Sequence, residues 1–371
     1  MPTEQTPQLI LFNIILIAIL FLVTKRVFIK PYRLSKQHYK FAVFLCLIFC
    51  LFSFWGSDWF HYIAFYEDMK KGRDTHLEDI SYFIANITPN YIIFRLVIWG
   101  TGLFLFIDII KRLSISKELA VAIFGCLYLI WYSYARASLA MVMAYYGYSL
   151  ILKPYRNKRF STIIGFVTIF VSFYFHKSSL FAIATIMLCL FIRRYPTKAV
   201  FFILITYPFV ILLAKYQLAD IMASDFDSSE SDLNSYVNVG QRYLDAKLKT
   251  KGIGAFLMDR LETIPYYIVA FISFLALKRY KNLIPKDVSA FMTLLILLLI
   301  ISTVFMFDLG FNTRLVYGRF MKFLAIPCSI VMAYLYQNKI YPKLTKVALI
   351  IGLLGTAYSM SYSFYCSIVG G

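Results

Sequence analysis

The sequence predicts an all-α polytopic integral membrane protein with about twelve transmembrane helices. Three observations predict this fold class: 60% of the 371 residues are hydrophobic, only 15% carry charge, and apolar stretches of about 16 to 24 residues recur along the chain. A soluble domain has about 25% charged residues, and roughly 20 apolar residues cross the hydrocarbon core of a bilayer. The composition therefore argues against a soluble globular fold and for a chain that lies mostly in lipid.

The apolar spans follow one another along residues 1–371, which we expect to form a single membrane domain. Two short neighbouring spans, 117–132 and 137–152, are compatible with a broken or re-entrant pair. The first span is too long to be a removable signal peptide, and it lacks a basic start and a small-residue cleavage site. In chain order, the predicted spans are 8–24, 39–55, 90–110, 117–132, 137–152, 160–175, 177–192, 198–214, 262–279, 287–307, 319–336 and 343–366.

The net charge of +19 is divided unequally between the two sides of the membrane. If the spans alternate, the loops on one side carry 23 basic and three acidic residues, and the other side carries 15 basic and 16 acidic residues. An excess of Lys and Arg in short loops marks the cytoplasmic side. We therefore expect both termini to lie outside the cytoplasm.

The same distribution argues against nucleic-acid binding, because the basic surplus is spread over six short loops and forms no continuous stripe.

The six cysteines lie in or at the ends of spans without CxxC spacing, so neither a disulfide framework nor a zinc site is predicted. The predicted cytoplasmic loops contain no Gly-rich phosphate loop. We therefore expect no metal and no cofactor.

The first long external segment, 56–89, contains three candidate catalytic residues. Asp58 and His61 are three residues apart in a predicted amphipathic helix at the interface, where they share one helix face. They are candidates for an acid or base that faces a substrate, and the alternative is a solvated polar edge. Glu78 lies in a second short amphipathic helix, where it is either catalytic or part of a capping box with Thr75.

Arg136 lies at a span boundary among small residues, including Ala135, Ala137 and Ser138. A charge deep in the bilayer costs at least about 2.5–3.5 kcal/mol unless it faces a partner or a water-filled cavity. The small neighbours are too short to hide the side chain, which favours an anion site over snorkelling to the interface.

His176 and Lys177 form the polar tip of a tight predicted hairpin between two spans on the external side. A histidine in this place can exchange a proton near neutral pH, and a lysine offers a point charge to phosphate. The alternative is structural, because any such hairpin needs polar residues at its tip.

Arg314, Arg319 and Lys322 lie on the external side, where the positive-inside rule does not require basic residues. Arginine holds phosphate oxygens through paired donors. Together with Arg136 and Lys177, these residues predict an electropositive pocket for a pyrophosphate or another polyanion.

The second long external segment, 215–261, contains an acidic run between Asp220 and Asp232. The run lacks the glycine and the terminal glutamate of an EF-hand loop, so a mobile solvated loop is expected rather than a metal site. A loop of this length beside a membrane site is also a candidate lid over substrate.

Taken together, these residues resemble the EpsG-like branch of the Wzy-type bacterial polysaccharide polymerases (O-antigen, capsule or exopolysaccharide). The resemblance covers residues from about 50 to 325 and is carried by short segments: Gly56-Ser-Asp58 with Tyr62, Glu78 with Tyr82 and Asn90-Tyr91, Arg136-Ala-Ser-Leu-Ala140, Phe175-His-Lys-Ser-Ser179, and Arg314 with Arg319. The pattern expected in relatives has a glutamine after the first arginine, and Ala137 stands in that place here.

The resemblance implies a GT-C-like glycosyltransferase on the outer side of the bacterial inner membrane. Its substrates would be donor and acceptor oligosaccharide units on polyprenyl pyrophosphate, and its partners membrane lipid, a flippase and a chain-length regulator. In the expected displacement at the anomeric carbon, four basic residues hold the leaving pyrophosphate: Arg136, Lys177, Arg314 and Arg319. Four candidates remain for the base that takes the acceptor proton, with the first two favoured: His176, Asp58, His61 and Glu78.

Two other functions remain open at this point. A flippase for lipid-linked sugars would also have about twelve spans, but it should expose polar residues to both sides and often has inverted repeats, which this sequence lacks. A glycan O-acyltransferase would place its histidine and acids on a path for a cytoplasmic acyl donor. The functional-looking charges gather on the external side instead.

Overall fold

The computed structural model of the protein describes residues 36–52, 57–73, 79–127, 135–155, 157–176, 179–192, 253–304 and 323–369, with single positions in 11–22 and at 321. This part of the chain contains twelve α-helices and no strand. In chain order the helices are α1 (Lys36–Phe52), α2 (Ser57–Lys70), α3 (Asp79–Ile87), α4 (Tyr91–Arg112), α5 (Lys117–Leu127), α6 (Ala135–Leu152), α7 (Lys158–Phe175), α8 (Ser179–Ile192), α9 (Ile253–Arg279), α10 (Lys286–Val304), α11 (Ala325–Gln337) and α12 (Pro342–Val369).

The predicted spans coincide with helices throughout the described ranges. The spans between 39 and 192 and between 262 and 366 correspond to α1 and α4–α12, and the two predicted external helices correspond to α2 and α3. The largest difference in a boundary is at α9, which begins at Ile253, so residues 253–261 of the predicted external loop are helical. The span 198–214 and most of the span 8–24 lie outside the described residues.

Three described helices have stretches long and apolar enough to cross a membrane: Tyr91–Arg112, Lys158–Phe175 and Lys286–Thr303. Four shorter apolar stretches accompany them: Tyr39–Ile48, Ala137–Leu152, Ser179–Ile192 and Ala325–Gln337. The all-helical membrane class is thus supported, whereas the count of twelve spans and the GT-C-like arrangement stay predictions.

The helices α10 and α11 form the centre of the bundle. Every residue from Phe291 to Leu298 in α10 is at most 5% exposed, and every residue from Ala325 to Tyr336 in α11 is buried. Leu, Ile and Met dominate the α10 stretch, and the α11 stretch is mostly apolar, with two alanines and two tyrosines among its residues. A helix that is apolar on all sides is stable in the interior of a larger bundle.

The outer surface of the bundle is apolar. On α7, one stripe of large side chains is 54–66% exposed: Phe160, Ile163, Val167, Phe170 and Tyr174. Similar exposed apolar residues lie on α4 and α12, for example Phe104 and Leu354. Soluble monomers rarely expose apolar patches of this extent, so this surface suits contact with lipid.

The basic loops meet at one end of the bundle, which we call the basic end. Lys117 Nζ lies 4.7 Å from the centroid of the Tyr39 ring, and Lys153 Nζ lies 3.8 Å from Asp287 Oδ2.

Other contacts link the remaining described basic loops to this end. The backbone N–H of Ser116 donates to Gln337 Oε1 at 2.8 Å, and the ring centroids of Tyr280 and Tyr341 are 5.8 Å apart. The chain segments that the charge count assigns to one side therefore lie together wherever the structure describes them.

Candidate functional site

The opposite end of the bundle, where α4 begins and α7 ends, is called here the far end. At this end the hairpin formed by α2 and α3 is fastened to the start of α4. Tyr66 in α2 donates from its hydroxyl to Thr88 O at 2.8 Å, and Lys70 Nζ donates to Asn86 O at 3.2 Å. The Tyr66 ring centroid lies 5.8 Å from that of Tyr91 and 5.4 Å from that of Phe94.

The short helix α3 has apolar residues on both its buried and its exposed sides. Ile84 and Ala85 are buried against the protein, whereas Phe83 and Ile87 are 64% and 62% exposed. These two exposed residues are four apart and so lie on the same helix face. Exposed apolar side chains on one face suit a helix that rests on a membrane surface.

Arg95 is a buried arginine in the second turn of α4, at the far end. It is only 2% exposed, and its Nη1 donates to the Tyr91 hydroxyl at 3.3 Å. The guanidinium carbon also lies 5.8 Å from the centroid of the Tyr91 ring and 6.0 Å from that of Trp99. Cation–π attraction of this kind strengthens when the charge is removed from water, so the rings help to keep a full charge inside the bundle.

Arg136, the residue predicted to bind an anion, is the second residue of α6 and lies at the same end as Arg95. The helices α4 and α6 run parallel, because residues near the ends of both are in contact and so are residues nearer their starts. At the basic end, Arg112 Nη1 donates to Lys153 O at 3.1 Å. Closer to the far end, a Cβ added at Gly102 would lie 4.0 Å from Leu139 Cδ1. At about 1.5 Å rise per residue, Arg95 and Arg136 both lie within roughly 11 Å of the Gly102–Leu139 contact along the helix axes. The Arg136 side chain lies outside the described part of the structure.

His176 lies at the far end in the turn between α7 and α8. Its backbone N–H donates to Ser172 O at 3.3 Å, and its carbonyl accepts from the Ser179 N–H at 2.9 Å. The side chain is half-buried. The tight hairpin predicted from the sequence is thus present, with His176 as the C-cap of α7.

The remaining candidate residues are described in part or not at all. Asp58 and His61 are the second and fifth residues of α2, and their side chains lie outside the described part. Four further candidates also lie outside it: Glu78, Lys177, Arg314 and Arg319. The candidates whose backbone is described therefore lie on α2, on α6 and directly after α7. That their side chains come together in one site stays a prediction.

Arg95 has no recognisable motif in the sequence. In the alternating topology its charge belongs to the external side, although the residue lies inside the apolar span 90–110. The signal that would have found it is an arginine within a mostly apolar stretch, about one turn inside the external boundary, because such charges are rare and often functional.

In the described ranges, no group of three His, Cys, Asp or Glu residues is arranged to hold a metal ion. The polar groups described at the far end include the Tyr66 hydroxyl, the Lys70 ammonium and the Arg95 guanidinium. These groups suit recognition of oxyanions and sugar hydroxyls through hydrogen bonds.

The sequence model of the EpsG family matches residues 38–368, which is nearly the whole chain. No curated protein and no solved structure matches the chain. The match covers the α2–α3 hairpin, the α7–α8 hairpin and the loops of the basic end.

Proposed function

Because the chain belongs to the EpsG family, we propose that it is a membrane glycosyltransferase that polymerises polysaccharide from lipid-linked oligosaccharide units. It joins repeat units carried on polyprenyl pyrophosphate, on the outer side of the bacterial inner membrane. The observation that carries this proposal is the family match over residues 38–368.

The distribution of charge along the bundle supports a polyanion site at the far end. The basic loops lie at the basic end, where an orientation signal is expected. Arg95 and Arg136 belong to the other end, and orientation does not require them there. Because a membrane-embedded arginine is costly, its presence favours a role in binding a charged substrate.

In the proposed reaction, the acceptor hydroxyl oxygen attacks the anomeric carbon of the donor sugar. A new glycosidic C–O bond forms while the bond from that carbon to the pyrophosphate oxygen breaks, and the bonding electron pair leaves with the polyprenyl pyrophosphate. The acceptor proton passes to a base, for which His176 and Asp58 are the favoured candidates and His61 and Glu78 the others.

Basic side chains offset the negative charge that grows on the leaving pyrophosphate. We assign this role to Arg136, Lys177, Arg314 and Arg319, and add Arg95 because of its burial at the same end. Preorganised donors of this kind bind the charged pyrophosphate in the ground state and stabilise it further as its negative charge grows during bond breaking.

Deletion of the gene tests the proposed function, with the surface glycan as the measurement. A missing polymerase should leave single repeat units exported but not joined, whereas a missing flippase should leave none outside. Unchanged polymer length in the deletion strain would contradict a polymerase role. A lost O-acyl group on polymer of normal length would favour the acyltransferase alternative.

Complementation of the deletion strain tests the site. Arg136→Ala should lower chain growth at least about tenfold at normal membrane abundance, because a charge-assisted hydrogen bond contributes about 1.5–3 kcal/mol. Arg159→Ala is the matched control, since Arg159 is an exposed arginine in the first turn of α7 at the basic end. Near-normal polymer with Arg136→Ala would remove this residue from the pyrophosphate site.

A further inference from the structure

Ser179, the first residue of α8, is a completely buried serine at the far end. Its Oγ has no hydrogen-bond partner in the described part of the chain. A buried polar group without a partner is rare in native proteins, because it has lost its bonds to water. Such an atom at a candidate substrate site suggests that a ligand supplies the missing bond.

Five other serines in the described helices show what a buried hydroxyl does elsewhere in this bundle. Each is completely buried, and each donates at 2.6–2.7 Å to a carbonyl three or four residues earlier in its own helix: Ser149, Ser172, Ser273, Ser302 and Ser329. This bond is the usual one for a serine within a helix. Ser179 differs because no helical turn of α8 precedes it.

The position of Ser179 directs its side chain to the N-terminal opening of α8. Cα–Cβ bonds in a helix tilt toward the N-terminus, so the Oγ of the first residue lies at that opening. The helix end carries a partial positive charge, and α8 has 14 residues over which this dipole is summed. The backbone N–H of Ser179 donates to His176 O at 2.9 Å, which holds the serine beside the histidine.

The whole α7–α8 hairpin is free of carboxylates. Residues 158–192 contain no Asp and no Glu. In the sequence, Lys177 lies between His176 and the serine pair Ser178-Ser179. An oxyanion at the start of α8 would therefore meet no repelling charge from this hairpin. Helix N-termini with a hydroxyl donor are a common setting for phosphate groups.

From these observations we propose that Ser179 is a substrate-binding residue whose Oγ donates a hydrogen bond to a phosphate oxygen of the lipid-linked donor's pyrophosphate. The proposal rests on the proposed polymerase function and adds a residue to its site. It places the pyrophosphate at the N-terminus of α8, directly beside the candidate base His176.

The experiment uses the purified protein in nanodiscs, with lipid-linked repeat units extracted from the deletion strain. Chain growth gives KM and kcat, and inhibition of chain growth by inorganic pyrophosphate gives an independent measure of the anion site. Ser179→Ala should raise KM about tenfold and weaken pyrophosphate inhibition by a similar factor, because it removes a donor to a charged group. The melting temperature should not fall, because the Ser179 hydroxyl bonds to nothing in the described protein.

Ser172→Ala is the matched control, because it removes an equally buried hydroxyl that donates to Ile169 O in its own helix. It should leave KM and pyrophosphate inhibition unchanged. If Ser179→Ala does not accumulate, Ser179→Gly also lacks the hydroxyl and replaces it in the same assays.

Three results would overturn the proposal: wild-type KM and inhibition in the variants that lack the Ser179 hydroxyl, an equal loss with Ser172→Ala, or a loss seen only in nanodiscs that contain anionic lipid. The last result would assign the hydroxyl to a phospholipid headgroup. Failure of the proposed function is recognised separately, because the wild-type protein would then form no polymer from these units.

Discussion

The helix α4 has a buried arginine near each of its ends, and the two arginines have different surroundings. Arg112 donates from Nε to Asp108 Oδ2 at 2.9 Å, and its guanidinium carbon lies 3.6 Å from the centroid of the Tyr155 ring. With its bond to Lys153 O, this arginine links α4 to the end of α6. Arg95, at the far end, lies against aromatic rings close to the predicted substrate side. We therefore interpret Arg112 as structural and Arg95 as functional.

At this scale we predict that Arg95→Gln raises KM for the lipid-linked donor by roughly 10-fold or more, because a charge-assisted hydrogen bond contributes about 1.5–3 kcal/mol. Arg95→Lys keeps the charge but loses the planar fork of donors, so its KM should lie between those of the wild type and Arg95→Gln. The measurement is chain growth at several donor concentrations, normalised to the amount of protein in the membrane.

Arg73→Gln is the control for this series. Arg73 is an exposed arginine at the far end, in the hairpin of α2 and α3, and its Nη1 lies 3.2 Å from Asp68 Oδ1. Its KM should match that of the wild type. A wild-type KM for both Arg95 variants would assign Arg95 a structural role only.

At the scale of elements, the α6–α7 hairpin depends on two glycines. A Cβ at Gly147 would lie 2.4 Å from Gly165 O, and a Cβ at Gly165 would lie 2.7 Å from Gly147 O. The two backbones are therefore in direct contact, which small residues permit in membrane helix pairs. Since α6 begins beside Arg136 and α7 ends at His176, this crossing also sets the spacing of two candidate site residues.

We predict that Gly147→Ala lowers the melting temperature of the purified protein, because forcing a methyl group into a packed contact costs about 1–3 kcal/mol. Gly102→Ala is the matched control. Its Cβ would lie 4.0 Å from Leu139 Cδ1, an ordinary contact distance, and alanine favours a helix over glycine. Equal melting temperatures for the two variants would contradict the tight crossing.

At the scale of the whole molecule, the bundle separates a basic end from a far end that holds the candidate site. The predicted cytoplasmic loops at residues 36–40, 111–117, 153–159, 278–287 and 339–346 are joined by contacts at the basic end. We expect this end to face the cytoplasm, because short loops rich in Lys and Arg remain there.

Labelling of single cysteines tests this orientation. In a background without the six native cysteines, Arg73→Cys should react with a membrane-impermeant maleimide in intact spheroplasts, and Lys281→Cys should react only after the membrane is opened. Both positions are exposed turns in the structure, so access to the reagent depends on the side of the membrane. The reverse labelling pattern would invert the predicted topology and place the candidate site in the cytoplasm.

The sequence by itself determined the helical class, the position of nearly every described helix, the grouping of the basic loops and the tight turn at His176. These features follow from local rules, because lipid requires each spanning segment to satisfy its own backbone hydrogen bonds and a run of apolar residues marks such a segment.

Only the tertiary structure decided which polar residues are buried. The sequence places Arg95 within an apolar span and Ser179 at a hairpin tip, but their burial depends on helices that pack against them from elsewhere in the chain. Likewise, Ile84 and Ala85 of α3 are buried by neighbouring elements, whereas Phe83 and Ile87 of the same helix are exposed. Burial is a property of packing between distant segments, which local periodicity does not encode.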